Sequence, residues 1–129
     1  MDLKNSSGII STILDSLDGI IYVSDFDTYE LLYVNQGLKD LLGFDPTGHK
    51  CWQYMHARHK GVCSFCSNKK LLKEGGQPAK TYCWEYVNPY NKKWYAARDQ
   101  AIKWSDGRYV RLEIAVDITD QKTIQQFLK

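Results

Sequence analysis

The chain lacks a long apolar segment and has no strong excess of charge of either sign. Its longest apolar run without a charge, Gly19 to Val23, is far shorter than the roughly 20 residues that cross a bilayer. The 129 residues include 17 Lys and Arg against 15 Asp and Glu, a net charge of +2, which indicates no polyanionic partner. No basic stretch followed by an apolar one opens the chain, so we expect no signal peptide and no direct membrane contact.

Sequence motifs of catalysis are also missing. The chain has no nucleophile motif with a matching base, no glycine loop for phosphate and no pair of carboxylates at a telling spacing. We therefore expect no enzymatic activity and no catalytic residue. Residues 49–74 are rich in Lys and Arg, but no nucleic-acid-binding motif accompanies them, so this segment favours a solvated face and no nucleic-acid partner.

The apolar and aromatic content is sufficient for one folded domain. Hydrophobic residues make up 43% of the chain, which has nine Tyr, four Trp and four Phe, and burying them can offset the entropy lost on folding. Four cysteines in a domain that can fold without disulfides indicate thiols or metal ligands in a reducing compartment. We therefore expect a cytoplasmic protein.

The hydrophobic pattern predicts a helix, two strands, short helices, three strands and a final helix. Ser6 or Ser7 is a candidate N-cap for the first helix, and Asn35 is one for the second. The predicted strands are Ile20–Ser24, Leu31–Val34, Thr81–Val87, Lys93–Trp104 and Val110–Ile118. Strands that cluster in sequence favour an antiparallel sheet with helices on one face, which is an α+β arrangement.

Several segments share the pattern of one known family. They are Leu17–Asp25, Leu32–Asn35, Leu41–Phe44, Gly48–Trp52 and Asp106–Lys122. The last is the most specific, because it contains an Asp117-Ile118-Thr119 junction between a closing strand and an outgoing helix. Together these segments, which extend from about residue 13 to residue 122, resemble the PAS (sensory box) domain family.

The resemblance implies a PAS fold, with a five-stranded antiparallel sheet in the order 2-1-5-4-3. Short helices would cover one face of the sheet and enclose a ligand pocket, between flanking N- and C-terminal helices. The implied division is an N-terminal flanking helix over residues 1–18, a sensory domain over 19–118 and the start of a signalling helix over 119–129.

The resemblance also implies a role in a bacterial-type signalling protein. The domain would bind a small ligand or cofactor, or sense redox state, and relay this through the C-terminal helix. The receiver would be an effector domain in the same polypeptide, such as a histidine kinase or a diguanylate cyclase, in two-component or cyclic-di-GMP signalling. Helices that flank such domains usually pair, so we expect a homodimer.

Asp117 and Thr119 are the predicted relay residues. A Thr at a helix start can accept a backbone N–H bond, and an Asp just before it suits the positive end of the helix. The two side chains would therefore tie the last strand to the outgoing helix, so that a shift in the sheet moves that helix.

The cysteines are candidate metal ligands. Cys63 and Cys66 are separated by two residues, a spacing that brings two sulfur atoms close enough to share one ion. Cys51 and Cys83, or a histidine in place of one of them, would complete a site for tetrahedral zinc or an iron–sulfur cluster. Free thiols are a second interpretation, and the more common one for scattered cysteines. A redox-active disulfide between Cys63 and Cys66 is a third.

Flavin and haem are disfavoured as cofactors. Flavin-binding PAS photosensors place a reactive cysteine after a Gly-x-Asn element, whereas Lys50 stands in the asparagine position before Cys51. Haem needs an axial ligand, for which His56 and His59 are candidates, but an isolated histidine more often has a structural role. Arg98 is a candidate for pairing with a carboxylate, on a ligand or on a neighbouring strand.

Overall fold

The computed structural model describes residues 3–55 and 68–128, with side chains from residue 8 onward. The elements in chain order are α1 (Leu3–Asp15), β1 (Gly19–Ser24), β2 (Leu31–Val34), α2 (Gln36–Leu42), α3 (Cys51–Tyr54), α4 (Asn68–Leu71), β3 (Tyr82–Val87), β4 (Trp94–Lys103), β5 (Tyr109–Asp117) and α5 (Thr119–Phe127). The strands form one antiparallel sheet in the order β2-β1-β5-β4-β3, which confirms the predicted fold class and strand order. In the described ranges, no helix has the length and apolarity needed to cross a membrane.

The core lies on one face of this sheet, which we call the inner face. Side chains alternate between the two faces of a strand, so Ile20 and Tyr22 of β1 point the same way. Both belong to a buried apolar cluster with Leu38 of α2 and Cys51 of α3. The small residues Ala97 and Ala115, opposite each other on β4 and β5, join the same cluster and leave room for the helices to approach the sheet.

Asn35 caps α2, as the sequence predicts, and also fastens this helix to β1. Its side-chain oxygen accepts hydrogen bonds from the backbone N–H groups of Leu38 and Ile21, both at 3.1 Å. Its amide nitrogen donates to the carbonyl oxygen of Gly19 at 3.1 Å. Gly37 completes the contact, because a Cβ at this position would lie 2.5 Å from the same Gly19 oxygen.

Helix α1 lies on the other face of the sheet, the outer face. Ile10 and Leu14 line an apolar groove of about 420 Å³ there, together with sheet residues such as Ile21 and Leu112. The prediction that Ser6 or Ser7 caps this helix is wrong, since α1 already begins at Leu3. A serine inside a helix costs only about half a kcal/mol relative to alanine. The preference of serine for the N-cap position therefore does not determine where α1 begins.

Candidate functional site

Four polar side chains form a buried network on the inner face of the sheet, which we call the inner cluster: Tyr22, Asp99, Arg111 and Glu113. None is more than 3% exposed. The Arg111 Nη1 atom donates to the Tyr22 hydroxyl at 2.9 Å. Its Nη2 atom donates to Asp99 Oδ2 at 3.0 Å and to Glu113 Oε1 at 3.2 Å. A charged group can be buried stably only when such partners surround it.

The strand register brings these residues together. Asp99 of β4 lies directly opposite Glu113 of β5, and Glu113 lies opposite Tyr22 of β1. The inner cluster therefore crosses the three central strands of the sheet. Burial raises the pKa of Tyr22 well above its ordinary value, although the Arg111 charge opposes this shift. The Tyr22 hydroxyl consequently stays protonated and serves as a neutral hydrogen-bonding group.

Aromatic side chains extend the inner cluster toward the edge of the sheet. Trp84 of β3 donates from Nε1 to Asp99 Oδ2 at 2.8 Å. Tyr86, on the same face of β3, stacks on Tyr95 of β4 with ring centroids 5.7 Å apart, and the Trp84 ring lies 4.8 Å from Tyr86. Burial also raises the pKa of Tyr86. The inner face thus offers both hydrogen-bonding groups and flat apolar surfaces.

The structure separates two of the four cysteines. Cys51 is buried in the core on the inner face. Cys83 is exposed and lies on the outer face, because it alternates with Trp84 and Tyr86 along β3. Side chains on opposite faces of a sheet do not converge on one ion, so Cys51 and Cys83 do not fit a shared metal site.

The other predicted metal and haem ligands fall outside the described residues. They are Cys63, Cys66, His56 and His59. In the part of the chain that the structure describes, no group of three or more His, Cys, Asp or Glu side chains could hold a metal ion. A zinc ion, a cluster or a disulfide based on Cys63 and Cys66 stays a prediction.

The two predicted relay residues lie together where β5 passes into α5. The Asp117 Oδ1 atom accepts a hydrogen bond from the backbone N–H of Thr119 at 2.9 Å. The Thr119 hydroxyl oxygen accepts one from the backbone N–H of Trp94 at 3.0 Å, and the Ile118 N–H donates to the Trp94 carbonyl at 2.8 Å. The first residue of α5 is therefore bonded to the end of β5 and to the beginning of β4.

This arrangement differs in one respect from a simple helix cap. The Thr119 hydroxyl serves the neighbouring strand and not its own helix, and no side chain caps α5 at its N-cap residue, Ile118. Hydrogen bonding to Thr119 lowers the pKa of Asp117, and the nearby Lys93 ammonium group, 3.7 Å from Asp117 Oδ2, adds to the shift. Asp117 is therefore ionised at neutral pH and holds the junction as a carboxylate.

The sequence patterns do not identify the inner cluster. Arg98, a candidate for pairing with a carboxylate, is exposed and lies on the outer face, whereas its neighbour Asp99 is buried. The available signal was the pairing of small and charged residues at alternate positions, Ala97 with Asp99 and Glu113 with Ala115. In this sheet, all four of these small and charged residues are buried on the inner face.

Comparison with known proteins identifies the fold. No protein-family model matches the sequence, and no curated protein matches it. The PAS domain of an HTR-like protein from Haloarcula marismortui has a TM-score of 0.66 at 18% identity, with 90% of this chain and 94% of that chain covered. A sensory box sensor histidine kinase from Vibrio cholerae has a TM-score of 0.58 at 15% identity, with 91% and 94% covered. The chain has the PAS fold.

A light-oxygen-voltage domain is also similar in structure to this chain. A light-oxygen-voltage domain studied with a flavin analogue has a TM-score of 0.55 at 16% identity, with 99% of this chain and 93% of that chain covered. Cys51 follows Lys50 at the start of α3 and is buried in the core of this PAS fold. Its side chain therefore faces the interior side of the sheet, where the inner cluster also lies.

Proposed function

We propose that this chain is a non-enzymatic sensory domain of a signalling protein. A small ligand or cofactor, held against the inner face of the sheet, changes the pose of α5, which leads to an effector domain. The observation that carries this proposal is the junction, where Asp117 and Thr119 bond the start of α5 to β5 and β4. The sensory box of a histidine kinase with the same fold supports a kinase as the effector.

The chemistry of the inner face defines the kind of ligand. Carboxylates, a guanidinium group and a tyrosine hydroxyl meet flat aromatic rings there. Polar groups orient a small molecule, while apolar and aromatic groups supply most of the contact area. A planar molecule with hydrogen-bonding groups on its rim suits this lining. Its arrival would disturb strands β3, β4 and β5, and β4 and β5 both lead directly to the junction.

The relay is tested in the full-length protein. Replacement of both Asp117 and Thr119 by alanine removes the side-chain bonds that join the first residue of α5 to β5 and β4. We expect the effector output to lose its dependence on the stimulus, while the domain stays folded because both residues are near the surface. The measurement is effector activity with and without the stimulus, together with circular dichroism of the variant.

A matched control uses the same residue types on the same helix. Asp120 and Thr123 lie on α5 and are exposed, and the Thr123 hydroxyl bonds only within its own helix in the described structure. Their replacement by alanine should leave the stimulus response intact. Unchanged signalling in the Asp117 and Thr119 variant would rule out the proposed relay.

The cofactor is tested on protein purified without oxygen, by metal content per chain and an absorption spectrum. Iron at or above one atom per chain, with visible absorption, would support a redox or gas sensor based on Cys63 and Cys66. Zinc at one atom per chain would assign those cysteines a structural role. Absence of metal and of visible absorption would favour a colourless organic ligand and free thiols.

We also propose a homodimer in which α1 contacts α1 of a second copy. Ile9 and Ile13 lie one helical turn apart on α1 and are each about half exposed, as is Leu17 just after the helix, so this segment presents apolar side chains to solvent. A surface of this kind is self-complementary across a twofold axis. Sedimentation should give a dimer for the native chain and a monomer for Ile13→Lys. A native chain that sediments as a monomer would contradict this proposal.

A further inference from the structure

A second contact ties α5 to the sheet, beyond the junction. The Lys122 Nζ atom lies 2.5 Å from Glu85 Oε1 of β3. The same atom lies 4.8 Å from the centre of the Trp94 ring of β4, within the range of a cation–π contact. We propose that this contact, the lysine tie, makes β3 the strand whose movement α5 follows. The inference rests on the proposed sensory function and specifies its route.

Glu85 lies on the outer face of β3, next in sequence to two aromatic residues of the inner face. It lies between Trp84 and Tyr86 in β3, and the strand alternates so that Glu85 points outward while both aromatic side chains point inward. Trp84 bonds to Asp99 of the inner cluster, and Tyr86 stacks on Tyr95. A ligand that displaces either aromatic ring therefore turns the same short length of backbone that carries Glu85.

The place of β3 in the sheet favours this route. Strand β5 lies between β1 and β4, which restrain it on both sides. Strand β3 is last in the sheet order and pairs with β4. A strand at the end of a sheet has fewer ladder hydrogen bonds to break when it tilts, so it moves at a smaller cost in free energy. Of the two strands, β3 responds more readily to a change on the inner face.

The strength of the lysine tie suits a movable contact. The side chains of Lys122 and Glu85 are 27% and 48% exposed, so water screens their charges. Exposed ion pairs of this kind change a local equilibrium by about two- to fivefold. Such a contact biases the orientation of α5 without locking it, and a small displacement of β3 is enough to weaken it.

The first test measures hydrogen exchange of the α5 amides by NMR in the 129-residue chain. Lys122→Met keeps the apolar stem over Trp94 and removes the charge, and Glu85→Gln removes the other charge. We expect either change to speed exchange at the Lys122 and Thr123 amide positions about two- to fivefold. The exposed Lys103, at the end of β4, supplies the control Lys103→Met, which should leave α5 exchange unchanged. Exchange that is equally unchanged in all variants would overturn the proposal.

The second test asks whether the lysine tie carries a signal from the inner face. Tyr86→Leu perturbs the aromatic stack, and Tyr86→Phe does so more gently if the first variant does not fold. The change should alter α5 exchange in the native background and have at most half that effect on a logarithmic scale with Lys122→Met. An effect of equal size in both backgrounds, or none in either, would overturn the proposal.

The two exchange tests can fail or succeed independently of the test of the proposed function. Exchange in the isolated chain reports the lysine tie without any effector or stimulus. If the Lys122 variant changes exchange as expected, but the full-length variant with alanine at Asp117 and Thr119 signals normally, the proposed relay fails and the lysine tie stands. If the relay holds but Lys122→Met leaves exchange unchanged, the lysine tie fails and the proposed relay stands.

Discussion

Replacement of Asn35 by alanine should destabilise the domain more than any loss of a surface cap. The side chain is fully buried and satisfies three backbone groups, the N–H groups of Ile21 and Leu38 and the carbonyl of Gly19. Each buried polar group left without a partner costs about 1–3 kcal/mol. Since the three groups adjoin one small space and share part of this cost, we expect a total loss of about 3–5 kcal/mol.

That loss is large against the stability of a domain this size, which is about 5–15 kcal/mol. The assay is urea unfolding followed by far-ultraviolet circular dichroism, with the free energy of unfolding extrapolated to water. Asn35→Asp tests the donor to Gly19, because it keeps the acceptor for Ile21 and Leu38 but places a carboxylate oxygen against the Gly19 carbonyl oxygen. A buried charge without a partner is costly, so the loss at neutral pH should be at least as large as that of the alanine variant and should decrease at low pH, where the protonated carboxyl can donate.

Asp45 provides the matched control at the surface. Its carboxylate accepts bonds from the Thr47 backbone N–H at 3.0 Å and from the Thr47 hydroxyl at 2.6 Å, but the side chain is 54% exposed. Water replaces such bonds, so Asp45→Ala should cost less than about 1 kcal/mol. A loss below about 1 kcal/mol for Asn35→Ala, comparable to a surface cap, would refute the argument that burial sets the magnitude.

Three further predictions follow from burial and charge. Gly37→Ala should lower the unfolding free energy by about 1–3 kcal/mol, because the added Cβ would lie 2.5 Å from a backbone oxygen. Gly75 is the control, since a Cβ there would meet no atom within 4 Å, and Gly75→Ala should change the unfolding free energy by less than about 0.5 kcal/mol in the same urea titration. The pKa of Asp117 is lower in the folded state than its ordinary value of 3.8, so its stabilising contribution is present above that pH and is lost as the pH falls below it. The difference in unfolding free energy between the native chain and Asp117→Asn should therefore shrink below pH 3.8. A difference that is constant with pH would contradict this assignment. Iodoacetamide should alkylate the exposed Cys83 well before the buried Cys51, as peptide mass spectrometry can follow; equal rates would contradict the placement of the two cysteines on opposite faces.

The strands and the second helix could be predicted because their signals are local, whereas the order of the strands in the sheet came from the resemblance to the PAS family. Val110 to Ile118 alternates with the period of a strand, and Asn35 precedes an apolar helical pattern that ends at Gly43. In the structure, Gly43 adopts the left-handed backbone conformation with φ of 81°, a conformation that glycine adopts without a steric penalty. Such features depend on a few neighbouring residues, so a single sequence contains them.

The inner cluster could not be predicted in the same way, because a strand pattern does not say which face is buried. Leu112 and Ile114 look like core residues of β5, yet they line the outer groove beside α1. Arg111 and Glu113 look solvent-facing, yet they are buried on the inner face. Which side chains of β5 are buried on each face depends on α1 and α2, which are distant from β5 in sequence and cover opposite sides of the sheet.

Charge pairing explains why the register of β4 and β5 is nonetheless unique. Asp99 lies opposite Glu113, from where its carboxylate reaches Arg111 at 3.0 Å. A slip of β4 by one residue would turn Asp99 to the outer face and bring Arg98 to the inner one. Two guanidinium groups would then lie near one carboxylate in a buried site, at a cost of several kcal/mol. The inner cluster therefore selects one pairing of the two strands, and the junction and the lysine tie, which depend on that pairing through Trp94 and Glu85, take their geometry from it.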